Sequence, residues 1–264
     1  MPAHLAPAFW VPDRVGVLSA WWGHVPFAHW LIAATRPGLV VELGTHTGVS
    51  YAAFCRAVAE LGLPTRCVAV DTWRGDPQAG TYDQAVYEEL RAWHDPRHSA
   101  FSRLLLTDFD SARRLFAPGS IDLLHIDGRH DDASVRHDLT TWLPAMSARG
   151  VLLFHDTAIR GPGFDVWRLW EEVRHRWPGF LFEHCYGLGV LAVGPRPPAA
   201  VVALCAAAGT PAEAVLRQAF AVLGERWMLA QAMDAEQQQA TALADALDAA
   251  RREIAQLRAS QGAG

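Results

Sequence analysis

The sequence predicts an α/β protein, a doubly wound and mostly parallel sheet of seven strands that ends in an antiparallel hairpin and carries a helical, coiled-coil tail. Three observations lead there. Residues 39–50 (LVVELGTHTGVS) read as a buried strand, a tight turn with two glycines four apart, and a helix start. Seven short apolar runs alternate with helical patterns, and the first five end in an acid: Glu42, Asp71, Asp108, Asp127 and Asp156. Only a few residues join the last two runs, too few for a helical crossover, so that pair must be antiparallel.

Taken in order, residues 1–36 form an aromatic-rich cap. Prolines at 2, 7 and 12 keep its start irregular, and Trp21 to Ile32 is helical up to the Arg36-Pro37-Gly38 turn. Its aromatics either lid a pocket or pack on the sheet edge, and the usual burial of large rings favours packing. Residues 37–194 form the main domain. After the first strand, Gly44 and Gly48 let the backbone turn sharply and let a ligand approach, while the helix start leaves N–H groups free.

Arg66 to Asp71 is the second strand. Asp71 lies 23 residues past Gly48, where nucleotide-binding α/β folds place the carboxylate that accepts the ribose hydroxyls. A helix from Tyr82 to Trp93 leads to a third strand, Arg103 to Leu106. Beyond it, Asp108 either accepts from an adenine amino group, with Phe109 stacked on the ring, or N-caps the helix that follows. Ile121 to Asp127 is the fourth strand, continued by Gly128-Arg129-His130 and a helix through Trp142. Val151 to Thr157 is the fifth, and a helix from Phe164 to Trp177 returns the chain to the hairpin 179–193. In such sheets the carboxyl ends of the strands form the ligand crevice, so the five acids should line one edge.

Residues 195–210 are proline-rich at their start and read as a linker. The tail, 211–264, is helical: Phe220, Leu223, Trp227 and Ala230 follow 3-4-3 spacing. Leu243, Leu247, Ala250, Ile254 and Leu257 follow 4-3-4-3, a short coiled-coil seam for a homo-oligomer or a partner enzyme.

Composition narrows the chemistry. The net charge is −5, so no basic footprint points to nucleic acid. The 264 residues include no lysine, which excludes a P-loop and any lysine Schiff base. His46 and Val49 stand where a dinucleotide fingerprint needs its second and third glycines, which counts against an NAD-linked oxidoreductase. The four cysteines, 55, 67, 185 and 205, lie far apart with no metal or disulfide spacing. No signal segment or membrane-spanning run is present, and the expected location is the cytoplasm.

Four motifs taken together, Val41-Glu42-Leu43-Gly44, Val70-Asp71-Thr72-Trp73-x-Gly75-Asp76, His125-Ile126-Asp127-Gly128-x-His130 and Phe154-His155-Asp156-Thr157, resemble one family. It is the class I S-adenosylmethionine (SAM) methyltransferases grouped with macrocin O-methyltransferase and the cephalosporin-hydroxylase-like proteins. The resemblance covers Trp21 to Gly194 and implies a Rossmann-like fold and methyl transfer to a hydroxyl of a small sugar or glycoside. It implies SAM contacts from Glu42, the loop Gly44, Thr45, His46, Thr47 and Gly48, then Asp71, Thr72 and Trp73, then Asp108, Phe109 and Asp127. Relatives hold Mg²⁺ on acids at two strand ends, here Asp127 and Asp156, but His155 takes the place of a further acid, and imidazole suits Mg²⁺ less well. The metal-free alternative makes His130 or His155 the general base beside Asp127. A different class of function, a catalytically inert SAM-fold module recruited through its coiled coil, stays open at this stage.

Overall fold

The computed structural model describes residues 3–76, 80–82 and 84–261, without the side chains of 3, 4, 76 and 253–261. After two short 3-10 turns the chain runs through α1 (Val25–Thr35), β1 (Leu39–Leu43), α2 (Val49–Glu60) and β2 (Arg66–Asp71). A small ribbon of β3 (Gly75–Asp76) and β4 (Gly80–Thr81) follows, then α3 (Gln84–His98), β5 (Ser102–Leu106) and α4 (Phe109–Arg113). Next come β6 (Ile121–Ile126), α5 (Asp132–Trp142), β7 (Met146–His155), α6 (Val166–Val173), β8 (Gly179–Phe182), β9 (Leu188–Ala192), α7 (Ala199–Ala206) and α8 (Pro211–Gln261).

Seven strands form one sheet in the order β5-β2-β1-β6-β7-β9-β8. The pairs from β5 through β7 are parallel, and β9 runs antiparallel to both neighbours. The expected mostly parallel sheet with a terminal antiparallel hairpin is therefore present. Strand order reverses at β1 and β6, and a crevice opens there at the carboxyl ends of the strands.

Both faces of the sheet are covered, which is why β1 is buried at every position and β6 at all but Asp122. On one face α1, α2, α7 and the start of α8 bury Trp22, Phe27, Phe54, Phe182 and Phe220. On the other, α5 and α6 bury Leu139, Trp142, Leu169 and Trp170. The N-terminal cap is thus part of the main core. Trp22, Phe27 and Trp30 pack as expected, whereas Trp21 also reaches the crevice.

Two tail expectations need correction. The stretch 195–210, read as a linker, contains α7, whose Val201, Leu204 and Cys205 are buried against the β8–β9 face. Pro197 and Pro198 begin a helix here instead of a spacer, because Pro is tolerated where the first N–H groups have no partner. The polar residues 236–239 do not interrupt the tail, and α8 is one continuous helix. Its inner part docks through Phe220, Leu223 and Trp227, while 233–252 are exposed all round. Leu243 and Leu247 of the expected seam are 71% and 50% exposed, and the side chains of Ile254 and Leu257 lie outside the described residues. Among the described residues no single helix is long and apolar enough to cross a membrane.

Asp131 N-caps α5, accepting from the Ser134 N–H at 3.0 Å, and carries the chain from β6 back under the crevice. On the same helix the buried Asp138 is pushed up from 3.8 to about 7 by burial. The folded state therefore keeps a proton that the unfolded chain releases near 3.8, so stability falls as pH rises through this window. Asp138→Asn should be more stable than the wild type by about 4 kcal/mol at pH 8, with the difference closing near pH 4. Urea unfolding at the two pH values checks this, and an equal difference at both would refute it.

Candidate active site

The crevice is a cleft of about 410 Å³ whose floor is the carboxyl edge of β1, β2, β6 and β7. The loop after β1 forms one wall. Gly44 has φ +84°, and a Cβ there would stand 2.0 Å from the Asp127 carbonyl oxygen, so the turns after β1 and β6 touch through bare backbone. Gly48, also at φ +84°, caps α2 against Leu90 and lies behind the cleft.

The loop is held from behind. Asp71 accepts from the Thr45 and His46 N–H groups on one oxygen, at 2.8 and 2.9 Å, and from the Trp73 N–H on the other at 2.7 Å. The indole of Trp73 donates to the His46 carbonyl at 2.9 Å, and Arg14 donates to the Thr47 carbonyl at 2.8 Å. Asp71 therefore braces the glycine loop as well as lining the cleft beside Thr72, and any diol it accepts would use its remaining lone pairs.

Gly44, Thr45, His46, Thr47, Asp71, Thr72, Asp108, Phe109 and Asp127 all line the cleft. Asp108 is also the N-cap of α4, accepting from the Ser111 N–H and hydroxyl at 2.8 Å each. Phe109 lies against Gly128, where a Cβ would meet its ring at 2.5 Å. Besides Gly48, two more of the expected cofactor contacts are corrected. Trp73 is 2% exposed and acts on the loop from outside the cleft. Glu42 is fully buried and paired with the His125 imidazole at 2.8 Å, beneath the rings of Trp21 and Phe54. The pleat points Glu42 into the helix-covered face and away from the crevice.

At the far end of the cleft two carboxylates and two imidazoles converge. His130 Nε2 lies 2.7 Å from Asp156 and 3.9 Å from Asp127. His155 Nδ1 lies 3.2 Å from Asp127 and 3.3 Å from Asp156. His155 Nε2 faces the Cys185 carbonyl at 3.0 Å, and a carbonyl only accepts, so that nitrogen carries the hydrogen. Its Nδ1 then shares a proton with the carboxylates.

Burial opposes the charge on each group, yet the charges win together. Asp127 and Asp156 push His130 up to about 10 and hold His155 well above the ordinary imidazole range. In return His155 and His130 hold both carboxyls below theirs. At neutral pH both imidazoles keep their protons, so neither starts as a base when this centre is on its own.

Asp127, His130 and Asp156 place one ligand atom each within 4.8 Å of one another. Two hard oxygens and one imidazole are a donor set that a divalent cation accepts, and the cation's charge would replace the two protons now balancing the carboxylates. The sequence reading named His155 as third ligand, whereas His130 completes this group. Asp156 holds its position with φ +60°, a left-handed conformation rare for any residue but glycine and found at strained functional sites.

Other cleft residues gave no signal in the sequence. Ser19, Tyr82, Arg129, Phe164 and Tyr186 line it, and the buried His125 stands 3.9 Å from Asp127. The glycine loop and the run of acids at strand ends were the parts readable as patterns.

A doubly wound sheet with a glycine loop over its switch point and a cluster of ionisable groups beyond defines a Rossmann-like domain. Residues 41–157 match a family described as "Methyltransferase domain". The chain is 47% identical over 173 residues to the uncharacterized protein y4gI of Sinorhizobium fredii, an alignment covering 66% of this chain. It spans only 19% of that relative's length. Among solved structures it resembles the O-methyltransferase TomG of Streptomyces achromogenes, involved in tomaymycin synthesis and solved with SAM. That similarity has 16% identity and a TM-score of 0.50, over 74% of this chain and 91% of the other. A methyltransferase from Geobacter sulfurreducens aligns at 17% identity and a TM-score of 0.49, over 67% and 79% of the two chains. At such identities the likeness is one of fold.

Proposed function

We propose that this chain transfers a methyl group from SAM to a hydroxyl of a small acceptor, a sugar or glycoside. One observation carries the reading: a single cleft holds the braced glycine loop at one end and the Asp127, His130, His155 and Asp156 centre at the other. Its volume of about 410 Å³ lies within the usual range for a ligand site. SAM would lie along the loop, with Asp71 and Asp108 as acceptors and Phe109 as an apolar surface, which brings the sulfonium toward the centre.

The reaction breaks the S–CH₃ bond and forms an O–CH₃ bond in line. The hydroxyl proton passes to a carboxylate oxygen of Asp127 or Asp156, the groups of this centre that start unprotonated, and S-adenosylhomocysteine leaves. When bound there, a divalent cation such as Mg²⁺ would act as a Lewis acid on the acceptor oxygen. The protein's own part is positioning: Asp127 and Asp156 orient the two imidazoles, the His155 bond to Cys185 fixes that ring, and Trp21 closes the wall behind it.

Isothermal titration with SAM tests this, with Mg²⁺ and with EDTA. One-site SAM binding in both conditions is expected, with a separate heat for Mg²⁺ alone. No SAM heat in either condition would overturn the reading and leave an inert module. That second reading draws on the exposed outer half of α8, which offers a surface for a second copy or a partner enzyme.

A further inference from the structure

Residues 45–47 form the arch of the glycine loop and all three line the cleft. The arch is not a relaxed turn. His46 holds left-handed backbone at φ +48°, a conformation that persists in a residue other than glycine only when its surroundings impose it. Those surroundings can be traced group by group. The Thr45 and His46 N–H groups go to Asp71, the Thr45 carbonyl accepts from the Gly48 N–H at 2.8 Å, and the His46 carbonyl accepts from the Trp73 indole.

Thr47 is where support arrives from a distant segment. Arg14 Nε donates to its carbonyl at 2.8 Å, and the Thr47 hydroxyl donates to the Leu18 carbonyl at 2.9 Å. Arg14 is only 3% exposed. Its two terminal nitrogens fork onto Glu89 of α3 at 3.1 and 2.7 Å, and the guanidinium lies 5.2 Å from the centre of the Trp93 ring. One buried cation thus joins the N-terminal stretch, the glycine loop and α3. The same stretch runs on into Ser19, Ala20 and Trp21 of the cleft wall. The pair with Glu89 contributes little by itself, because that carboxylate is 57% exposed and screened by water. The bond to Thr47 is the consequential one, since it fixes which way the arch faces.

We propose that Arg14 is a positioning residue for the cofactor: held by Glu89 and Trp93, its guanidinium sets the arch of residues 45–47 and through it the affinity for SAM. This rests on the methyl-transfer reading, which places SAM along the loop. The planar fork is what the position requires. A guanidinium meets both carboxylate oxygens and still turns Nε to the carbonyl, whereas a lysine ammonium is a point charge that satisfies one side or the other.

Titration of S-adenosylhomocysteine into the full-length protein tests this, together with amide hydrogen exchange on the ligand-free protein. Arg14→Ala should bind at least about tenfold more weakly than wild type, the loss of one charge-assisted hydrogen bond. Arg14→Lys should recover part of that loss, ending about threefold below wild type, and it carries the test if the alanine variant does not fold. Arg97→Ala is the control: Arg97 also stacks on Trp93, at 5.1 Å, but bonds the Trp93 carbonyl and not the loop, so affinity should not change. In Arg14→Ala the amides of Thr45 to Gly48 should exchange about tenfold faster while those of β6 and α5 keep their protection. Affinity within about twofold of wild type in both Arg14 variants overturns the proposal. So does a loss of protection spread evenly over β6 and α5, which would make Arg14 a general stabiliser. Wild-type protein that binds neither SAM nor S-adenosylhomocysteine overturns the methyl-transfer reading and this assignment together, whereas wild-type binding that both variants match overturns the assignment alone.

Discussion

Asp156→Asn is expected to lower methyl transfer by about 10³-fold while SAM affinity stays within about threefold. Asparagine is the informative replacement because it separates charge from backbone. Asp156 sits at φ +60°, a conformation that Asn tolerates and that alanine adopts only with strain. The amide keeps the size of the carboxyl group but removes the negative charge that holds the His130 proton at 2.7 Å. It also removes one of the two carboxylates available to a divalent ion. Single-turnover transfer of labelled methyl to an accepted glycoside measures the loss, and titration with SAM provides the control. A rate within tenfold of wild type would remove Asp156 from the chemistry. Asp156→Gly, which relaxes the backbone and has no side chain to offer, should be as inactive as the asparagine variant.

The second large effect is expected at Gly44, where no side chain takes part in the chemistry. Gly44→Ala should cost about 2–4 kcal/mol of stability and weaken SAM binding on the order of 100-fold. The added methyl would stand 2.0 Å from the Asp127 carbonyl oxygen and 2.9 Å from the Gly128 Cα, and neither is a flexible side chain that could move aside. Relief requires the turns after β1 and β6 to separate, although the Asp127 N–H to Leu43 carbonyl bond at 2.8 Å joins them. Separation shifts Asp127 and opens the loop that Asp71 braces, so binding and stability should fall together. Thermal unfolding and SAM titration on the same preparation decide the matter, and wild-type SAM affinity in Gly44→Ala would show that the contact is dispensable.

The legible features were those set by chain direction. Parallel strands all present their carboxyl ends at one edge, so the acids that close five apolar runs could be assigned to one crevice before any side chain was placed. Asp127 and Asp156 do meet there, with His130 between them. Pleat parity within a strand covered on both faces was not legible. Leu39 to Leu43 is buried at every position, so no alternation in the sequence could show that Glu42 turns inward to His125. Asp71 was placed at the correct strand end, but its commitment to three backbone N–H groups depends on the curl of a loop 25 residues earlier, beyond any local pattern. Trp21 and Tyr186 reach the cleft only because distant segments fold over it, and no spacing encodes that.

Among the described residues, α8 is one helix in geometry but two regions in protection. Its inner turns share the hydrophobic core with α1 and β8, whereas residues 233–252 have water on every side. The hydrogen bonds of that outer stretch can open without disturbing the sheet, so its amides should exchange with solvent far faster than those of the inner turns. In a chain without lysine, trypsin can act only at arginine, and Arg251 and Arg252 both lie in this outer stretch. A protease would thus shorten the tail first and leave the cleft and the docked inner turns of α8 standing.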